Sequence, residues 1–145
     1  MAKKELEVVQ KIDLSRYQKK ILLVEDDENL LQLFDGVLSQ AGFSVDKFTD
    51  PLKAHTCFEE NPDGYDLVLS DINMPHISGI ELAKNIRKIN PFIEVVLMSA
   101  FDYFESDLRE VELSTFLKKP MHMQQMIDTV KECMAKKERI INSLR

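Results

Sequence analysis

Apolar and polar residues form two kinds of pattern along this chain. Short runs that are almost wholly apolar, such as residues 21–24 and 93–98, are typical of strands buried on both faces of a parallel sheet. Between such runs, apolar residues recur every three or four positions, as on the buried side of an amphipathic helix. The patterns predict strands at residues 21–24, 43–48, 67–70, 93–98 and 114–118, and helices that end at Gly42, begin at Asp50-Pro51, cover residues 80–89 and 101–111, and run from about residue 121 past Cys133.

The strands and helices alternate five times along the chain. This alternation predicts an α/β fold, with a doubly wound, five-stranded parallel sheet covered by helices on both faces. Right-handed crossover connections place the carboxyl ends of all the strands at one edge of the sheet. Binding sites in open sheets of this kind lie at that edge. The residues that follow each strand are therefore the candidates for function.

Charged and polar residues follow four of the predicted strands. Glu25 and Asp26 come directly after the first strand, Asp71 after the third, Ser99 after the fourth and Lys119 after the fifth. Three carboxylates in one pocket raise the pKa of one another, and a divalent cation relieves that cost. Mg²⁺ suits such a pocket, because it binds one or two carboxylates, water and a substrate phosphate.

The same edge has the groups that phosphoryl transfer requires. Asp71 is the predicted nucleophile, because an aspartate carboxylate can form an acyl phosphate. Asp26 and Asp71 are the predicted carboxylate ligands of Mg²⁺, and the main-chain carbonyl of Asn73 is a further candidate ligand. Lys119 can reach a phosphate oxygen as a point charge, and the Ser99 hydroxyl can donate a hydrogen bond to another. An acyl phosphate is a temporary change of charge, which suits a switch.

Composition narrows the class of protein further. The length of 145 residues suits one domain, and a net charge of −6 argues against nucleic acid as a direct partner. Cys57 and Cys133 show no metal-binding spacing, so neither zinc nor a disulfide is predicted and a reducing compartment fits. The first 20 residues lack the apolar core of a signal peptide, and no apolar run is long enough to span a bilayer. We therefore expect a cytoplasmic protein without a membrane partner.

Four segments of the sequence resemble the landmarks of a response-regulator receiver domain. They are residues 21–27 (ILLVEDD), 67–75 (LVLSDINMP) with Gly79, 95–100 (VVLMSA) and 118–120 (KKP). Each segment lies at a predicted strand end, and the resemblance covers roughly residues 20–136. It implies a flavodoxin-like (βα)5 fold with the strand order 2-1-3-4-5.

The resemblance also implies a role for each matching residue. The implied phosphotransfer residues are Asp71 as the phosphoacceptor, Lys119 and Ser99. The implied Mg²⁺ pocket consists of Asp26, Asp71, the main-chain carbonyl of Asn73 and, through water, Glu25. The implied switch residues are Ser99 and Phe116. Their movement remodels the face formed by the predicted fourth helix (residues 101–111), the fourth strand and the fifth strand.

Partners follow from the same resemblance. The implied phosphate donor is a histidine kinase or a phosphotransfer protein, and the implied output is a downstream protein effector or a second copy of the chain. The protein would then be a two-component signalling switch that catalyses only its own phosphotransfer and dephosphorylation. Residues 1–19 are interpreted as an N-terminal leader, residues 20–136 as the receiver domain and residues 137–145 as an extension of the last helix.

Two alternatives stay open at this point. The first is an aspartyl-phosphate phosphatase of the haloacid-dehalogenase type. That class requires an acid two residues after the nucleophile, where this chain has Asn73, and a nucleophile that follows the first strand. The second is that the chain is the receiver fragment of a larger regulator or of a hybrid kinase.

Overall fold

A single parallel sheet with the strand order β2-β1-β3-β4-β5 forms the centre of the fold. The computed structural model describes residues 19–102, 108, 111 and 115–144. Within these residues the strands are β1 Lys20–Val24, β2 Ser44–Phe48, β3 Leu67–Asp71, β4 Glu94–Ser99 and β5 Thr115–Lys118. The helices are α1 Glu28–Gln40, α2 Pro51–Glu60, α3 Gly79–Ile89 and α4 Met123–Ser143. The predicted fold class and strand order are confirmed.

Helices cover both faces of the sheet, as in a doubly wound fold. Alternate residues of β1 point to opposite faces, so that Leu23 joins the core beneath α1 and α4, whereas Leu22 joins the core beneath α2 and α3. Every residue of β3 and β4 is buried. This double burial explains why these strands have no alternating polar positions in the sequence.

Local signals in the sequence set several helix ends. Asp50 caps α2, because its side chain accepts a hydrogen bond from the backbone N–H of Leu52, and Pro51 occupies the first turn. Gly42 follows α1 with a φ of 102°, a left-handed conformation that glycine adopts at little cost. Ser78 caps α3, which therefore begins at Gly79, one residue before its predicted start.

Two predicted elements lie wholly or partly outside the described residues, and the last helix begins later than predicted. Most of the predicted helix over residues 101–111 lies outside the described residues, and so does residue 114 of the predicted fifth strand. The last helix, α4, begins at Met123 rather than about residue 121, because the preceding residue His122 still has extended backbone angles. No helix among the described residues is both long and apolar enough to cross a membrane.

A group of charged side chains near the amino end of the sheet holds the last helix against it. We call Lys20, Asp46, Asp66 and Lys137 the amino-edge cluster. The Asp66 carboxylate accepts a 2.8 Å hydrogen bond from the backbone N–H of Lys20 and lies 3.5 Å from the Lys137 ammonium. The Lys20 ammonium lies 3.2 Å from the Asp46 carboxylate. Since Lys137 belongs to α4, this contact lies beyond residue 136, where the sequence placed the end of the domain.

Candidate functional site

The predicted site residues meet at the carboxyl ends of the strands. Carboxylate oxygens of Glu25, Asp26 and Asp71 all lie within 4.8 Å of one another. The Lys119 ammonium forms an ion pair with Glu25 and lies 3.6 Å from an Asp71 carboxylate oxygen. We call these four residues the carboxyl-edge cluster. The structure therefore brings together the residues that follow the first, third and fifth strands.

The backbone of Asp71 is held on two sides. It is the last residue of β3 and pairs with Met98 of β4, whose carbonyl accepts a 2.9 Å hydrogen bond from the N–H of Ile72. The loop after β3 then folds back, and the Gly79 N–H donates a 2.9 Å hydrogen bond to the Ile72 carbonyl. A Cβ atom on Gly79 would lie 2.2 Å from the Asp71 carbonyl oxygen, so only glycine fits there.

The position of Lys119 is also set by the backbone. Its N–H donates a 2.8 Å hydrogen bond to the carbonyl of Ser99, which continues the β4–β5 pairing by one residue. Its ammonium lies 5.9 Å from the centre of the Phe34 ring, at the outer limit of a cation–π contact. The side chain is only 15% exposed, so the ammonium acts in a partly desolvated setting where its charge is poorly screened.

Burial works against the negative charge of the cluster. Burial raises the pKa of the Glu25 carboxyl to about 7, although the hydrogen bond from Lys119 opposes this shift. Burial also raises the pKa of Asp71. The Lys119 ammonium lowers that pKa, and the Asp26 carboxylate raises it. Within the part of the chain that the structure describes, one ammonium thus faces three carboxylates, and negative charge is in excess at the cluster.

Oxygen ligands, close spacing and excess negative charge fit a divalent cation. Mg²⁺ prefers oxygen ligands and is bound by one or two carboxylates in sites that also receive a phosphate. Asp26 is exposed while Glu25 and Asp71 are buried, so solvent reaches the cluster at Asp26. The three carboxylates thus meet the requirements that the sequence analysis set for Mg²⁺.

The Ser99 hydroxyl lies at the same edge but has a different partner from the one predicted. Ser99 is fully buried, and its Oγ donates a 2.7 Å hydrogen bond to the side-chain oxygen of Asn73. The same Oγ accepts a 3.0 Å hydrogen bond from the N–H of Phe101. The sequence predicts a role for the main-chain carbonyl of Asn73 but none for its side chain. No sequence signal for the side-chain contact exists, because it depends on how the loop after β3 approaches β4.

Phe116, the implied switch aromatic, is half-buried on β5 and packs against the core beneath α2 and α3. Its position on that face differs from that of Leu117, the next residue, which belongs to the core beneath α1 and α4. The structure thus describes one arrangement of Phe116. Its role as a switch stays a prediction.

Comparison with known proteins agrees with this geometry. The family profile of the response regulator receiver domain matches residues 21–131. The chain is 29% identical over 116 residues to the response regulator receiver protein CpdR of Brucella abortus, covering 79% of this chain and 95% of CpdR. It is also 31% identical over 140 residues to the sensor kinase CckA of the same organism, covering 95% of this chain but 15% of CckA.

A solved structure adds a likeness in three dimensions. The response regulator protein TrrA of Thermotoga maritima, in complex with Mg²⁺ and beryllium fluoride, superposes with a TM-score of 0.71 at 31% identity. The match covers 79% of this chain and 98% of TrrA. With the matched profile, the strand order and the shared fold, this chain belongs to the family of response-regulator receiver domains of two-component signalling.

Proposed function

We propose that Asp71 accepts a phosphoryl group in a Mg²⁺-dependent reaction and that the resulting acyl phosphate switches the protein between two states. The observation that carries this proposal is the meeting of Asp71, two further carboxylates and the Lys119 ammonium at one sheet edge. Structural ion pairs alone would balance their charges, whereas here the carboxylates are in excess. Excess negative charge around a buried aspartate is expected of a site that takes up a cation together with a phosphoryl group.

Each residue has a distinct part in this reaction. An Asp71 carboxylate oxygen attacks the phosphorus of the donor and forms the P–O bond of the acyl phosphate, while the bond from phosphorus to the donor atom breaks and the donor keeps its electron pair. Asp26, Asp71, the Asn73 carbonyl and, through water, Glu25 would hold Mg²⁺, which would supply positive charge to offset that of the phosphoryl oxygens. Lys119 can exchange its contact with Glu25 for a phosphoryl oxygen, because its flexible stem already places the ammonium beside Asp71. Ser99 donates to a further phosphoryl oxygen.

The proposed output is a change in shape of the surface around β4 and β5. Ser99 ends β4 and Phe116 lies on β5, so a movement of both alters one continuous surface. A downstream protein effector or a second copy of the chain is the proposed reader of that surface. We propose no direct contact with nucleic acid or membrane, and a cytoplasmic location.

The phosphate donor and the size of the whole protein belong to the same proposal. A histidine kinase or a phosphotransfer protein is the proposed donor. This chain covers nearly all of CpdR but only 15% of CckA. As a second candidate, we therefore propose that this chain is the receiver section of a larger regulator or hybrid kinase. Within the chain, we propose residues 20–136 as the receiver domain, with residues 1–19 as a leader and 137–145 as an extension of the last helix.

Chemical phosphorylation tests the proposed function directly. The protein is incubated with acetyl phosphate and MgCl₂, and intact mass is measured before and after mild base treatment. We expect one phosphoryl adduct that is stable in acid and lost in base, as an acyl phosphate should be. Asp71→Asn should remove the adduct, and omission of Mg²⁺ should strongly reduce it.

Asp63→Asn is the matched control for this experiment. Asp63 is an exposed aspartate in the turn before β3, outside the carboxyl-edge cluster, so its variant should form the adduct like the natural protein. An adduct that persists in Asp71→Asn, or forms equally well in EDTA, would overturn the proposal. Repeated turnover of a phosphate ester would instead support the phosphatase alternative.

A further inference from the structure

The Ser99 hydroxyl forms hydrogen bonds with two neighbouring groups. It donates to the Asn73 side-chain oxygen at 2.7 Å and accepts from the Phe101 N–H at 3.0 Å. A serine hydroxyl carries one hydrogen and can donate it to one strong acceptor at a time. The proposed contact between Ser99 and a phosphoryl oxygen therefore requires the hydrogen bond to Asn73 to break.

We propose that the Asn73 side chain is a positioning residue that holds Ser99 in the unphosphorylated arrangement and so sets how readily the switch turns on. This inference rests on the proposed function of Asp71 as phosphoacceptor. It assigns Asn73 two separate parts, since its main-chain carbonyl is the proposed Mg²⁺ ligand and its side-chain oxygen restrains the switch hydroxyl. The second part requires a side-chain acceptor, which a residue such as alanine at position 73 would lack.

The two acceptors of the Ser99 hydrogen differ in strength. The Asn73 amide oxygen is neutral, whereas a phosphoryl oxygen is charged, and hydrogen bonds to charged acceptors are roughly twice as strong. Ser99 therefore stays with Asn73 until Asp71 is phosphorylated and then has a better partner. The population of the switched state depends on this difference, so removal of the weaker acceptor shifts the balance toward that state.

The second hydrogen bond of Ser99 connects the site to the surface. Phe101 is 63% exposed, and its N–H is held by the same Oγ atom. When the hydroxyl rotates, this backbone contact weakens and the start of the segment after β4 loses an anchor. The Asn73 side chain thus restrains both the switch hydroxyl and the surface beside it.

Binding of beryllofluoride, a phosphoryl analogue, tests the inference at saturating Mg²⁺, so that differences in Mg²⁺ affinity do not enter. Asn73→Ala removes the side-chain acceptor and keeps the main-chain carbonyl. We expect Asn73→Ala to bind beryllofluoride about fivefold more tightly than the natural protein, which corresponds to about 1 kcal/mol for one hydrogen bond. Asn73 is exposed, so alanine should be tolerated, and circular dichroism checks the fold.

A double-mutant cycle with Ser99→Ala separates this role from a general effect of Asn73. Without the Ser99 hydroxyl the proposed restraint is lost, so Asn73→Ala should leave the affinity of Ser99→Ala unchanged. Asn142→Ala, an exposed asparagine near the end of α4, is the control for the loss of an amide and should bind like the natural protein.

The outcomes distinguish the two proposals. If the natural protein binds beryllofluoride but Asn73→Ala binds no more tightly, or if the gain persists in the Ser99→Ala background, the restraint by Asn73 is refuted and the phosphoacceptor stands. If the natural protein does not bind beryllofluoride with Mg²⁺, the phosphoacceptor role itself is refuted, and the restraint with it.

Discussion

Charged side chains gather at both the amino ends and the carboxyl ends of the strands, but the balance of positive and negative charge differs between the two clusters. At the amino-edge cluster, two lysines face two aspartates, and each carboxylate has a cation within 3.5 Å. At the carboxyl-edge cluster, three carboxylates share a single lysine. The first arrangement is neutral and joins β1 to α4, whereas the second carries an excess of negative charge among the described residues.

This difference separates charges that stabilise the fold from charges kept for chemistry. A paired and hydrogen-bonded carboxylate near the surface adds modestly to the free energy of unfolding. A buried carboxylate whose pKa is raised costs free energy at neutral pH, because the folded state disfavours its charged form. Functional sites are commonly less stable than they could be for this reason. The amino-edge cluster thus raises the free energy of unfolding, and the carboxyl-edge cluster lowers it.

Of the tests of this contrast, Mg²⁺ binding should change the free energy of unfolding the most. A cation that binds only the folded protein raises the free energy of unfolding by about 2.7 kcal/mol at a concentration 100 times its dissociation constant. Thermal unfolding with MgCl₂ and with EDTA at matched ionic strength measures this effect. Asp26→Ala should reduce it, whereas Asp46→Asn at the amino-edge cluster should retain it. An unfolding temperature that ignores Mg²⁺ would contradict the contrast.

A methyl group at Gly79 should give the next largest effect. Its Cβ would meet the Asp71 carbonyl oxygen at 2.2 Å, so the phosphoacceptor strand or the loop must move, and we expect a loss of about 2 kcal/mol. Gly36→Ala is the matched control, since nothing lies within 4 Å of its added Cβ in the middle of α1. That variant should gain about 0.8 kcal/mol from helix propensity. Urea unfolding measures both, and equal effects would show that Gly79 is not tightly packed.

Matched Asp→Asn substitutions should have opposite signs at the two clusters. In EDTA at pH 7, Asp71→Asn should raise the free energy of unfolding by about 1 kcal/mol, because burial raises the pKa of Asp71 and its charged form is costly. Asp66→Asn should lower it by about 1 kcal/mol, since Asp66 binds both the Lys20 N–H and the Lys137 ammonium. Chemical unfolding of both variants gives the two values, and a shared sign would break the comparison.

The smallest effect concerns backbone strain at the two edges. Among the residues that the structure describes, two non-glycine residues have positive φ: His76, at 75° in the loop after β3, and Lys19, at 50° just before β1. Glycine relieves the left-handed strain but costs entropy in the unfolded chain, so His76→Gly should gain only about 0.5 kcal/mol. Lys19→Gly also loses an exposed ion pair with Glu138 and should gain less. Thermal unfolding ranks the two, and a loss in His76→Gly would show that its conformation is not strained.

The sequence predicts the sheet edge well because strand burial and strand-end residues are local signals. Continuous apolar runs lead to Glu25 and Asp71, and parallel connections then bring both to one edge. The contact between Ser99 and Asn73 could not be predicted, since it depends on the path of a loop whose backbone is set by the close approach of Gly79 to Asp71. The ion pair between Lys119 and Glu25, beside the longer contact of Lys119 with Asp71, likewise depends on side-chain positions that spacing does not encode.

The main chain and the side chain of Ser99 make different contacts. Its carbonyl accepts the Lys119 N–H and keeps β5 aligned with β4, while its hydroxyl bonds to the loop after β3 and to Phe101. Rotation about a single side-chain bond can therefore exchange the hydroxyl's partner while the strand alignment persists. Such a rotation moves one small side chain between staggered rotamers. The fold can therefore respond to a chemical change at the carboxyl ends of its strands without a shift in strand register.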